Sequence, residues 1–317
     1  MHIPDGFLST RVWATMDAVA IPAVALLSRR AQRSLDTSRL PLMGVMGAFI
    51  FAAQMINFPV GNGTSSHLVG GALLSFTLGP AAAAMVMTSI LAIQALVFQD
   101  GGLLALGANV FNMAIAGVFA GYLPYLLLRG RKSGIFLGAT LSLLVSAFFA
   151  LMELALSGVR MPPTMLLISI ALFTVSAVAE GAITVAVVGA LRNIEPNLLR
   201  QTASAPVLTR RLRLVLAGAS AALVMTAIYV ASTKPDGIDE ITRLTAARAT
   251  SLLSSPLSSR LSSPLANYQV SFLSSHSSNW LTHAFAGLAG IFAVYLVCLV
   301  LSRLLRASRS ALKPEGI

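Results

Sequence analysis

This 317-residue chain is short of charge: 22 basic and 11 acidic residues make up 10% of it, where a soluble domain carries about a quarter. With 56% hydrophobic residues beside that deficit, a water-soluble fold of this length is excluded. Cysteine is nearly absent. Cys298 stands alone inside an apolar run, which rules out an intrachain disulfide and reads as a small buried hydrophobe. No G-x-x-x-x-G-K-[ST] phosphate loop occurs, so the chain is not expected to hydrolyse ATP, and no H-E-x-x-H points to a metalloprotease. Ser65 and Ser66 are neighbours of His67 in sequence only, which makes no nucleophile–base–orienter set. No catalytic residue and no cofactor site is therefore assigned. A secretory signal is missing too, because Pro4, Asp5 and Gly6 arrive where an apolar h-region should begin. The mature chain is expected to begin at Met1, which bulky His2 protects from trimming.

What the chain has in quantity is apolar length. Runs lie at about 12–27, 40–58, 68–78, 80–98, 103–128, 134–157, 165–191, 212–232 and 283–302. At ~1.5 Å per residue most can cross a bilayer as helices. The third is short and breaks at Gly79-Pro80. The net charge of +11 sits in short clusters between runs, the pattern of membrane topology rather than of a nucleic-acid surface. One set of alternate ends, around Arg29, Arg129, Arg192 and Arg303, carries 16 of the 22 basic residues. The other has Arg11, Arg160, Lys234, Arg243, Arg248 and Arg260. The positive-inside rule then places the N-terminus outside and the C-terminus inside, with 68–98 counted as a broken hairpin.

The expected fold class is all-α, a polytopic transmembrane helical bundle in a bacterial or archaeal cell membrane. Seven segments fill 1–191, and a basic cytoplasmic linker follows at 192–211. Two helices in 212–317 flank an outside loop at 233–282. That loop is rich in Ser and Pro and reads as a linker, since so few apolar residues cannot bury a core.

All four histidines, His2, His67, His276 and His283, fall at the outer face in this topology. A histidine in second position behind a free amine has a specific consequence. The Met1 amine, the deprotonated His2 amide nitrogen and His2 Nδ1 can close fused five- and six-membered chelate rings on one metal. They fill three corners of a square plane, an arrangement that suits Ni²⁺ or Cu²⁺. The fourth corner is open to a histidine from elsewhere. His67, in the Gly-rich turn Gly61-Asn62-Gly63-Thr64-Ser65-Ser66-His67, is the best candidate.

Met1-His2-Ile3-Pro4-Asp5-Gly6-Phe7-Leu8 resembles the opening of the CbiM/NikM substrate-specific components of energy-coupling-factor (ECF) transporters for cobalt and nickel. Val60–Gly71 is similar to that family's internal histidine loop, and Asp100–Met113 to its later polar segment. Ser66 and Gln99 stand where glycine is expected. Further on, Lys234-Pro235-Asp236-Gly237-Ile238-Asp239-Glu240 resembles the PDGLE motif of NikN-type accessory subunits, and Ser262–Tyr268 a later stretch of the same subunits. The resemblance implies that Met1, His2 and His67 bind a transported Ni²⁺ or Co²⁺. It also implies that a membrane coupling (T) subunit and separate cytoplasmic ATPase subunits drive import. The H-x4-D-H signature of single-subunit nickel/cobalt permeases is absent.

Asn109 and Asn112 lie on one side of a helix at i,i+3 spacing. With Ser66, they are candidates for a supporting shell around the ligands, and the two asparagines serve equally well as polar glue between helices. Asp17, Gln54, Gln94, Glu153 and Glu180 read as packing, helix-end or subunit-contact groups. Small-residue faces such as Ala81–Ala84 or Gly117–Gly121 would permit close helix packing with the coupling subunit. The reading is an S component that captures Ni²⁺ (or Co²⁺) outside. The alternative is a membrane metal sensor or chaperone that binds without translocating.

Overall fold

The computed structural model describes residues 1–34, 39–61, 64–196, 198–199, 208–232, 234–246, 265, 268 and 279–311. Each apolar run becomes helix. The order is α1 (Thr10–Ser34), α2 (Leu40–Gln54), β1 (Phe58–Gly61), β2 (Thr64–Ser66), α3 (Gly71–Leu78) and α4 (Pro80–Ile93). Then come α5 (Leu106–Asn109), α6 (Val118–Leu127), α7 (Lys132–Leu156), α8 (Pro163–Ile194), α9 (Arg210–Val230), α10 (Gly237–Ala246) and α11 (Asn279–Ala311). A π-helical turn at Gln94–Phe98 extends α4, and a π-helical stretch at Val110–Gly117 joins α5 to α6. Among the described residues, seven helical rods are long and apolar enough to cross a membrane.

The break expected at Gly79-Pro80 is present. Gly79 takes φ 82, a value that favours glycine, and Pro80 opens α4 where a missing N–H costs nothing. α3 spans only about 12 Å, and α2 about 22 Å against a hydrocarbon core of roughly 30 Å. α2 stops at Gln54 rather than near 58 because Phe58–Gly61 leaves the helix as β1. β1 pairs antiparallel with β2, Phe58 opposite Ser66, so the Gly-rich turn read from the sequence is a short hairpin carrying His67.

α4 lies at the centre and α1 at the rim: 78% of the most apolar window of α4 is buried, against 6% for α1. Leu156, Leu167, Tyr229 and Phe292 remain exposed on the outward faces of α7, α8, α9 and α11, where lipid replaces water. Both small-residue faces expected to receive a coupling subunit are covered inside the chain. Ala82, Ala83 and Ala84 are buried, and a Cβ on Gly121 would lie 3.0 Å from the Gly138 carbonyl of α7. Small residues do permit close approach here, but between helices of one chain. α2 seats α11 in the same way, since a Cβ on Gly47 would lie 3.1 Å from Cys298 Sγ.

The polar groups within the apolar helices are also used internally. Gln54 Nε2 donates to Val69 O at 2.8 Å, and Gln94 Nε2 to Gln54 Oε1 at 2.8 Å. Gly107 N donates to Asp17 Oδ1 at 3.0 Å, tying α1 to α5.

Candidate metal centre

The first nine residues are not helical, and their beginning runs into the bundle, with Met1, His2 and Ile3 all buried. A primary amide holds them there. Ile3 N donates to Asn109 Oδ1 at 2.8 Å while Asn109 Nδ2 donates to Ile3 O at 3.1 Å, so one side chain imitates a neighbouring strand. Gly102 N adds a 2.9 Å bond to Ile3 O. Asp5 then accepts from Leu103 N at 3.0 Å and Leu104 N at 2.8 Å. Glycine is required opposite this strap. Gly101 has φ 93, and a Cβ on Gly102 would stand 2.6 Å from Asp5 N.

His67 is presented by the hairpin and braced from α8. Val69 N and Gly70 N each donate at 2.8 Å to a separate oxygen of Glu180. Gly70, at φ 77, leaves no room for a side chain against Ile50. His67 Nδ1 lies 3.0 Å from the Leu68 carbonyl, an acceptor only, so Nδ1 carries the proton and Nε2 presents its lone pair. That lone pair faces the Met1 nitrogen at 3.0 Å. Metal–nitrogen bonds of about 2.1 Å at a right angle put two donors about 3 Å apart, so this pair already has the spacing of adjacent corners. The His2 and His67 rings lie near parallel, 12° apart with centroids at 5.7 Å. His2 Nε2 is buried with no hydrogen-bond partner.

Carboxylates hold the other ends. Asp236 Oδ2 pairs with the Met1 ammonium, and Asp100 Oδ1 lies 3.1 Å from His2 Nδ1. Asp100 Oδ2 accepts from the Tyr268 hydroxyl at 2.7 Å, and the Tyr268 ring stacks on Phe98. Burial pushes the His67 imidazole down to about 4, helped by the N-terminal charge and His2, so it is neutral and ligand-ready. Burial would raise Asp236, but the ammonium and His67 hold it below the usual carboxylate range. Asp100 is likewise held low against burial, chiefly by His2. Burial and the neighbouring Asp236 charge raise Asp239 to about 7.

Of the residues read from the sequence, Met1, His2 and His67 meet, and Asn109 supports them. Asn112 does not; its Nδ2 donates to Glu153 Oε2 at 2.8 Å, away from the N-terminus. Ser66 is buried in β2 and lines a small cleft with Met1 and Asp236. His283 lines a larger cavity, about 790 Å³, together with His67, Asp100, Asp236 and Trp280. His276, the Ser262–Pro264 stretch, Asn267 and most of the 233–282 loop lie outside the described residues. No group of three or more His, Cys, Asp or Glu side chains is placed to hold a metal among the described residues. Backbone nitrogens of residues 1 and 2 are the further donors at hand, that of Met1 within reach of His67. Sequence reasoning missed Asp236 beside the Met1 nitrogen, Asp100 beside the His2 ring and Tyr268 behind Asp100. Asp236 carried a signal, being the acid of the Pro235-Asp236-Gly237 motif on the same expected face as His67.

The family described as cobalt uptake substrate-specific transmembrane region, CbiM, matches residues 2–198. The chain belongs to the CbiM family. A protein of Archaeoglobus fulgidus described as a fused nickel transport protein, NikMN, is 38% identical over 209 residues, covering 64% of this chain and 70% of that one. The fused nickel transport protein NikMN of Rhodobacter capsulatus is 39% identical over 135 residues, 42% of this chain and 39% of its own length. The cobalt transport protein CbiM of Acetoanaerobium sticklandii is 34% identical over 161 residues, 50% of this chain and 67% of its own. A crystal structure of a transition metal transporter superposes with a TM-score of 0.55 at 34% identity, covering 62% of this chain and 94% of that one. As a CbiM-family member with nickel and cobalt transport relatives, the chain is a component of metal uptake rather than an enzyme.

Proposed function

We propose that the chain is the substrate-binding S component of an ECF-type importer, capturing Ni²⁺, or Co²⁺, outside the cell. The ion is the cargo, held by the Met1 amine, the His2 amide nitrogen, His2 Nδ1 and His67 Nε2, with His2 Nδ1 giving up its 3.1 Å contact with Asp100 Oδ1 and its proton on binding. A membrane coupling subunit and cytoplasmic ATPases supply the energy. The N-terminus faces outward and the C-terminus inward. Residues 1–191 form the metal-binding body, 192–211 a linker and 212–317 an accessory segment. The observation that carries this reading is the 3.0 Å approach of the Met1 nitrogen to the lone-pair nitrogen of His67, two groups 66 residues apart. Burying a charged amine in a membrane bundle is costly, and a metal-binding role would offset that cost. The fused nickel transport relatives favour nickel as cargo.

The test is equilibrium Ni²⁺ binding to the purified protein with its native N-terminus. His67→Ala is expected to weaken binding by more than about tenfold, as loss of one of four nitrogen donors should. His283→Ala should leave it nearly unchanged. Equal loss in both would point to a diffuse metal-collecting surface and end the four-nitrogen reading. Vesicles with the ATPase partners should accumulate Ni²⁺. A sensor would bind the ion and accumulate none.

A further inference from the structure

Four nitrogens settle the geometry of the site but not its charge. One amine, one deprotonated amide and two neutral imidazoles carry a single negative charge, so a divalent ion among them leaves one net positive charge. That charge would sit among Met1, His2 and His67, which are 4%, 4% and 7% exposed. Uncompensated charge in such surroundings is costly. Asp236 is the group placed to balance it. Its Oδ2 pairs with the Met1 nitrogen and stands 3.9 Å from His67 Nε2. Its side chain is 11% exposed, against 34% for Asp100, whose Oδ2 already accepts from Tyr268.

The two oxygens of Asp236 have separate partners. Oδ1 accepts from Ile238 N at 2.8 Å and Asp239 N at 2.9 Å, closing the first turn of α10. Oδ2 is thereby left for the site. The backbone fixes this aim: Ser65 N donates to Pro235 O at 2.8 Å, and Ser65 Oγ to Lys234 O at 2.6 Å. Ser65 belongs to β2, next to the strand end that carries His67, so the carboxylate and the imidazole ride on one braced unit.

We infer that Asp236 is the counter-ion of the metal centre, the group through which the accessory segment makes a divalent cation acceptable in the buried N-terminal site. This rests on the four-nitrogen reading. Without the ion, the same oxygen neutralises the ammonium. With it, the oxygen neutralises the complex. The body thus provides the donors and the accessory segment the charge, so neither half holds the ion as tightly alone.

The experiment uses the full chain with its native N-terminus and Ni²⁺ as the probe. Asp236→Asn keeps the shape and the helix cap, because asparagine caps as well as aspartate, but removes the charge. Ni²⁺ affinity is expected to fall on the order of ten- to a hundredfold while the protein keeps a cooperative melt. Asp236→Glu, which keeps the charge, should bind more tightly than Asp236→Asn. Wild-type affinity in Asp236→Asn would overturn the inference. His67→Ala, run in parallel, separates the two ideas. If it weakens binding and Asp236→Asn does not, the nitrogen reading stands and the counter-ion falls. If it leaves binding intact, the nitrogen reading itself fails.

Discussion

At the scale of single residues, the proposed chelate depends on counting bonds from the chain terminus. With histidine second, amine, amide and imidazole would leave one corner for His67. Insert a leucine between Met1 and His2, bulky enough to keep the methionine, and histidine becomes third. The amine, two amides and the imidazole then close the plane alone. Ni²⁺ binding should persist but become insensitive to His67→Ala, and uptake should be largely lost. Wild-type uptake that still needs His67 would refute the terminal chelate. The proposed chelate can be argued from the sequence because it follows from residue type and position in the chain. The carboxylates were not. Nothing in a sequence measures the distance from residue 1 to Asp236 or from His2 to Asp100; only the folded hairpin and strap bring them within reach.

At the scale of elements, apolar length revealed the helices, because a bilayer demands whole hydrogen-bonded rods. It could not show where they change character. The π-helical stretch at Val110–Gly117 has the composition of ordinary helix, and strands of four and three residues are too short to display alternation. Nor can it tell an internal contact face from an external one, and Ala81–Ala84 and Gly117–Gly121 pack inside the chain. The seat of α11 on α2 offers a direct check. A Cβ at Gly47 would lie 3.1 Å from both Cys298 Sγ and Val86 Cγ1 and 3.2 Å from Val294 Cγ1. Gly47→Leu should therefore destabilise the protein by about 1–3 kcal/mol through overpacking. Gly218→Leu on α9, with nothing within 4 Å, should be neutral or slightly stabilising. Thermal melts in detergent distinguish them, and equal melting temperatures would contradict the packing described.

For the whole molecule, the proposed orientation predicts a labelling pattern. Lys234 and Arg131 are both exposed, and Cys298 is buried in the bundle. Lys234→Cys should react with a membrane-impermeant thiol reagent in intact cells, and Arg131→Cys should react only after lysis. The reverse would move the metal centre to the cytoplasm. The joining of α9 and α11 to the body in one chain has a further result. Asp236 reaches Met1 across 235 residues of the same polypeptide, so their encounter is intramolecular. Its probability is set by tether length and not by how much protein the membrane holds. Two separate chains making the same contact would lose it on dilution in the bilayer. In this one, each copy inserted into the membrane arrives with Asp236 beside Met1 at fixed stoichiometry, and on the proposed reading its Ni²⁺ affinity would be independent of expression level.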